Sequence, residues 1–237
     1  PMAGKRRLAL RLLADGATDD DTTVLVSTDS STAALRAEYE SALDGASPAV
    51  GIVDSAGDAY GEATDNEWTR HVSMPAELGN VGSAVLDLLD TLGEGRDASV
   101  DRIGVLSLTT LALNADVDQT IRFVHSLSRL VEERSGFAVL TAHENSFSKT
   151  DLGQVEALVD GVVYTREGTD GLEVRIEGLD GGQEWSSVPI STAPRSELGV
   201  PQPATPASGT SEPTGATTDL AFDSLAELIA QVDGDRP

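Results

Sequence analysis

Cysteine is absent from this 237-residue chain, which excludes disulfides, thiolate catalysis and zinc–thiolate sites. Lysine is nearly absent: Lys5 and Lys149 are the only two among 16 basic residues, set against 40 acids and a net charge of −24. Phosphate binding along a nucleic acid needs clustered Lys and Arg, so nucleic acid is excluded as a partner and anionic membrane surfaces are disfavoured. Aromatic content is 4%, which leaves no stacking platform. No apolar run approaches the length of a membrane span. The one basic N-terminal stretch, Lys5-Arg6-Arg7, leads into an apolar segment interrupted by Arg11, which fails as a signal-peptide core. A soluble, cytoplasmic protein is expected. His71, His125 and His143 lack metal-ligand spacing.

The acids are spread along the whole chain. Such self-repulsion is tolerable where salt shortens the Debye length to about 3 Å at 1 M. With the scarcity of Lys, this points to a high-salt cytoplasm, the plainer alternative being an ordinary acidic protein.

Strand-like runs alternate with helix-like ones. Thr23–Ser27, Ala49–Val53, Ile103–Leu108, Phe137–Thr141 and Gly161–Thr165 are apolar runs of the buried, parallel type, and a short segment follows at His71–Met74. Between them, helical spacing recurs at Leu35 and Tyr39, at Val81, Val85, Leu88, Leu89 and Leu92, and at Val117, Ile121 and Val124. Asp116-Val-Asp-Gln119 resembles a capping box at the start of the longest helix. Leu172–Ile176 alternates apolar and charged residues and could pair with Trp185–Ile190 as antiparallel edge strands. The fold class expected is α/β, a mostly parallel sheet with helices on both faces, over residues 1–190. Residues 191–218, rich in Pro, Ser, Thr and Gly, read as a disordered linker. Residues 219–237 read as a C-terminal amphipathic helix with Leu225, Leu228, Ile229 and Val232 on one face, suited to docking on a protein partner.

Two stretches carry the chemistry. Arg102-Ile-Gly-Val-Leu106-Ser107-Leu-Thr-Thr110 is an apolar strand running into Ser-Leu-Thr. Pro1-Met-Ala-Gly4-Lys5-Arg6 precedes a helix, and such Gly-Lys pairs serve loops that cradle phosphates at a helix N-terminus. Together they resemble the KaiC/RecA-like P-loop ATPases, whose corresponding strand ends in Asp-Ser-Leu-Thr and whose Asp serves the magnesium of bound ATP. The chain resembles most the degenerate KaiC-like proteins of salt-loving archaea. In that alignment Leu106 replaces the Asp, and Arg6 replaces the loop's magnesium-binding Ser or Thr. The strand before the loop would lie upstream of Pro1, so a fragment of a longer protein is expected.

The resemblance implies a RecA-like domain that binds ATP or ADP through Gly4, Lys5, Arg6, Ser107 and His143, with magnesium doubtful and no catalytic residue beyond the weak candidate Asp29. Asp29 stands where the family has a water-orienting Glu; alternatively, Asp29-Ser30-Ser31 caps a helix from Thr32. The family often forms hexamers, so a homo-oligomer is admissible. The function implied is a non-hydrolysing regulatory or scaffold module. Two alternatives are an active ATPase whose loop is completed upstream, and a receiver-like phosphoacceptor domain using Asp54. The acidic loop with Asp58, Glu62, Asp65 and Glu67 fits no calcium-binding spacing.

The charge makes a direct prediction. Melting temperature should climb between about 0.1 and 2 M KCl, because screening removes self-repulsion while apolar burial strengthens. A flat response would show the acids to be a neutral surface feature.

Overall fold

The computed structural model describes residues 4–56, 68–73, 76–95, 100–169, 171–179 and 184–188. The expected linker and C-terminal helix, the acidic loop around Asp58 and the residues before Gly4 lie outside the described residues. Two compact units result, one essentially Gly4–Asp160 and the other beginning at Gly161.

In the first unit the order is α1 (Lys5–Ala14), β1 (Thr22–Ser27), α2 (Thr32–Glu40), β2 (Ala49–Asp54), β3 (Thr69–His71), α3 (Leu78–Gly93), β4 (Asp101–Val105), α4 (Leu108–Asn114), α5 (Val117–Glu133), β5 (Phe137–Leu140) and α6 (Lys149–Glu156). The five strands form one parallel sheet in the order β3-β2-β1-β4-β5. Every residue of β1, β2 and β4 is buried. That explains their uninterrupted apolar character: with helices on both faces, neither side of the strand meets water.

Successive side chains feed two separate cores. Leu25, Val50, Ile52 and Leu106 pack with Leu10 and Leu13 of α1 and Leu35 and Tyr39 of α2. Val24, Val26, Val53, Ile103 and Val105 pack with α3, α4 and α5 through Val85, Leu88, Leu108, Leu111 and Val124. Gly104 permits a close approach, since a Cβ there would lie 2.6 Å from the Leu13 side chain. α1 therefore rests directly on β4.

Local sequence sets the helix starts. Ser31 accepts the Ala34 N–H at 3.3 Å to cap α2, and Asp116 accepts the Gln119 N–H at 2.6 Å to cap α5, as the capping-box pattern predicts. The strand expected to reach Leu108 stops at Val105, and Ser107 instead caps α4. Likewise β3 occupies Thr69–His71, slightly earlier than the segment expected at His71–Met74.

The second unit holds β6 (Val162–Gly168), β7 (Gly171–Glu177) and β8 (Ser186–Val188), an antiparallel sheet in that order. The alternating pattern of β7 buries Leu172 and Val174. β6, which reads as another buried parallel strand, instead pairs with β7 along its whole length. Its Arg166 lies 4.1 Å from the Trp185 ring centroid, and Arg175 of β7 lies 4.6 Å from that of Tyr164. Among the described residues, no helix is long and apolar enough to cross a membrane.

A buried ion pair fixes the end of the sheet where the strands begin. Arg102 and Asp21 are 8% and 3% exposed, with Nε to Oδ2 at 3.3 Å. Arg102 also donates to the carbonyls of Leu13 at 3.1 Å and Asp15 at 2.7 Å, holding the C-terminal end of α1. Burial opposes the charge on Asp21. Hydrogen bonds from the Val100 and Thr18 N–H groups and from Arg102 outweigh it and hold the carboxyl below its usual range. The stabilisation is therefore present above the ordinary carboxylate value of about 3.9 and is lost as pH falls through the lowered value. Arg102→Ala should cost about 3 kcal/mol or more at pH 7, because it strands a buried carboxylate. Urea unfolding in molar KCl measures the loss, which should narrow in acid. A cost under about 1 kcal/mol would assign the clamp to packing alone.

Candidate functional site

Open parallel sheets place ligands beyond the carboxyl ends of their strands. There the structure gathers the start of α1, the residues after β1 and those after β5. Gly4 adopts a left-handed conformation (φ 65°) immediately before α1, a geometry that favours glycine over side-chain-bearing residues. Lys5 extends its Nζ to the carbonyl oxygen of Ala142, 3.2 Å away. Burial lowers the Lys5 pKa, and the charge on Asp29 partly restores it. The neighbouring His143 is pushed down from the usual imidazole value, first by burial and then by the positive charge of Lys5.

Arg6 is held on three sides. Its Nε donates to Glu38 Oε2 at 2.7 Å, one terminal nitrogen to Asp29 Oδ1 at 2.8 Å and the other to Ser30 Oγ at 2.7 Å. Asp29 is thus the partner of a guanidinium, and Ser31 rather than Asp29 caps α2. The ion pairs are partly exposed, with side-chain exposures of 26% for Arg6, 35% for Asp29 and 47% for Glu38. Each is worth under about 1 kcal/mol alone, but the three contacts fix one geometry.

Ser107 and Leu106 contribute differently. Ser107 is buried, and its Oγ accepts the Thr110 N–H at 3.2 Å and meets Thr110 Oγ1 at 2.9 Å. Its hydroxyl is therefore engaged in capping α4. That helix in turn orients the next strand's end, for the His143 N–H donates to Thr109 Oγ1 at 2.9 Å. Leu106 is 3% exposed and packs in the α1–α2 core, while its carbonyl accepts the Thr141 hydroxyl. The position is structural filling.

Among the candidates, Lys5, Arg6, Asp29 and His143 come together, and Gly4 sits beside them. Glu38, Ser30 and the Ala142 carbonyl complete the cluster and are not apparent from the sequence, because contacts 32, 24 and 137 residues apart carry no local signal. Asp54 ends β2, buried, with Oδ1 accepting the Ala56 N–H at 3.1 Å and Oδ2 3.7 Å from His71 Nδ1. Lys149 opens α6 with its side chain exposed.

Arg6 stands in the first turn of α1, and Leu106 is packed in the core. Asp29 and Glu38 already neutralise Arg6. Among the described residues, no group of three His, Asp or Glu side chains is placed to hold a metal ion.

Two solved structures from Pyrococcus horikoshii are similar to this chain at low identity. One is an uncharacterised protein in complex with an unknown peptide: 15% identity, 73% of this chain and 77% of that chain covered, TM-score 0.43. The other is a KaiC-like protein of strain OT3: 15% identity, 73% of each chain covered, TM-score 0.43. No curated protein matches the sequence. The family that does match is described as a family of unknown function, DUF7504, and it takes in residues 1–165, the whole parallel-sheet unit; the chain belongs to that family.

Proposed function

We propose that this chain is a degenerate, RecA-like member of the KaiC-type ATPases that does not hydrolyse nucleotide and serves as a regulatory or scaffold module. The observation that carries this is the clasp of Arg6 by Asp29, Ser30 and Glu38. A hydrolytic site needs its carboxylates to hold metal and orient water. Here they are spent on an internal cation.

What remains suits binding. The N-terminus of α1 directs backbone N–H groups and the positive end of its dipole towards the space beyond Gly4, and Lys5 adds a positive charge there. A phosphate group is the chemistry such an arrangement takes, and ATP or ADP would bind as a structural ligand. Arg6 takes up, from within the protein, the carboxylates of Asp29 and Glu38 that a metal ion would otherwise hold. Without turnover, output must come through contacts: a protein partner engaged by the C-terminal segment 219–237, or other copies of the chain.

Steady-state assay in molar KCl should find ATP turnover below about 0.1 s⁻¹, whereas ordinary enzymes run at about 1–10³ s⁻¹. Calorimetry under the same conditions should show nucleotide binding weakened about tenfold or more by Lys5→Ala, which removes a hydrogen-bonding charge. Turnover above that limit would refute the loss of hydrolysis, and binding indifferent to Lys5→Ala would remove the phosphate site from α1.

A further inference from the structure

Two buried hydroxyls stand at the carboxyl ends of neighbouring strands with their hydrogen bonds unmade. Thr28 follows β1 and Ser55 follows β2, and they are 5% and 2% exposed. Neither Thr28 Oγ1 nor Ser55 Oγ has a hydrogen-bond partner among the described residues. A buried hydroxyl without a bond is costly, and a bound ion is one of the few features that relieve it. The two are neighbours. The parallel register sets Ser27 beside Asp54, and the Ser55 N–H donates to the Ser27 carbonyl at 2.9 Å. The next row of the sheet therefore holds Thr28 and Ser55 side by side.

Both side chains share a face of the sheet with Val26 and Val53, two residues earlier on each strand. Those valines pack with Leu78 and Val81 at the start of α3. The helix runs back over β2 from its carboxyl end, since a Cβ at Gly51 would touch Leu88 and Leu92. From Gly51 to Ser55 the strand climbs about 13 Å, and from Leu88 back to Leu78 the helix spans about 15 Å. Thr28 and Ser55 thus stand level with the N-terminus of α3. That helix has 16 residues, and Glu77 before it gives no side-chain cap to the N–H groups of Leu78 and Gly79. Gly79 is exposed, and among the described residues nothing crowds its Cβ position.

We infer that Thr28, Ser55 and the N-terminus of α3 form a site for chloride. Hydroxyl and N–H groups are neutral donors, and the helix dipole adds partial positive charge. Residues 72–80 include no Lys or Arg, and their one acid, Glu77, is exposed and accepts from Asn80 Nδ2 at 2.7 Å. A dianion such as phosphate calls for cations that these residues do not offer. A single negative charge on a small ion is matched by neutral donors alone. Asp54 lies between the two rows on the opposite face, with Oδ1 accepting the Ala56 N–H. α1 also packs on that opposite face, against Leu25 and Ile52. The chloride site is therefore independent of the phosphate site proposed at Lys5, and it ties β1, β2 and α3 together.

The test follows the chlorine NMR line width of KCl in the presence of the full chain, since exchange with a bound ion broadens the resonance. The native chain should add broadening that bromide displaces. Thr28→Val preserves shape and removes one donor, and Ser55→Ala removes the other. Each should weaken binding about tenfold, as expected for losing a hydrogen bond to a charged group. Melting temperature gives a second readout that chloride at the general surface does not move. In potassium sulfate the double variant Thr28→Val, Ser55→Ala should melt at or above the native chain, because two unpaired buried hydroxyls are gone. In KCl of equal ionic strength the order should reverse, with the native chain the more stable. Broadening that is the same for native and variant chains, or a melting difference that is the same in both salts, would overturn the proposal.

Discussion

The seating of α1 on β4 is the constraint on which the candidate site depends. It is possible because residue 104 has no side chain: a Cβ would meet Leu13 at 2.6 Å and Leu25 at 2.8 Å. With that contact made, α1 is held along its length. Arg102 grips the carbonyls at its C-terminal end, Leu10 and Leu13 fill the core beneath it, and Lys5 and Arg6 are delivered to the carboxyl edge of the sheet. A side chain at position 104 would force the Leu13 and Leu25 methyl groups out of the seam between α1 and β4.

At that edge, charge compensation is settled inside the protein. Two carboxylates and a hydroxyl converge on Arg6, tying the start of α1 to the end of β1 and to α2. In a chain with 40 acids and 16 bases, a guanidinium surrounded by acceptors is favoured over one left in solvent, and its fork geometry suits several oxygens at once. Lys5, by contrast, is partly desolvated and, among the described residues, donates one hydrogen bond, to a neutral carbonyl. The two adjacent cations therefore differ in availability: Lys5 retains donors for an incoming anion, while Arg6 is committed to its neighbours.

Much of the fold is legible in the sequence because parallel strands buried on both faces leave apolar runs, as in Thr22–Ser27 and Ala49–Asp54. The Asp116 cap is equally direct, since its chemistry acts over three residues. Legibility fails where tertiary contact decides. Leu108 reads as strand but begins α4, because the Ser107 hydroxyl captures the Thr110 N–H and turns the chain. Gly161–Thr165 has the composition of a buried strand, yet its hydrogen bonds are taken up by β7. The Gly-Lys pair and Leu106 are visible as residues, but the pairing of Arg6 with Asp29 and Glu38 joins segments far apart in the chain. No spacing rule announces it.

Arg6 is proposed to engage the carboxylates that a metal would otherwise hold, and magnesium dependence tests this most directly. ATP affinity should be measured by calorimetry in molar KCl, with and without magnesium, for the native chain and for Arg6→Ser, which frees Asp29 and Glu38 and restores a hydroxyl. Magnesium should change the native affinity by no more than about twofold and should tighten binding to Arg6→Ser severalfold, as released carboxylates begin to serve the cation. Tightening of the native chain by about tenfold, equivalent to 1.4 kcal/mol, would contradict it.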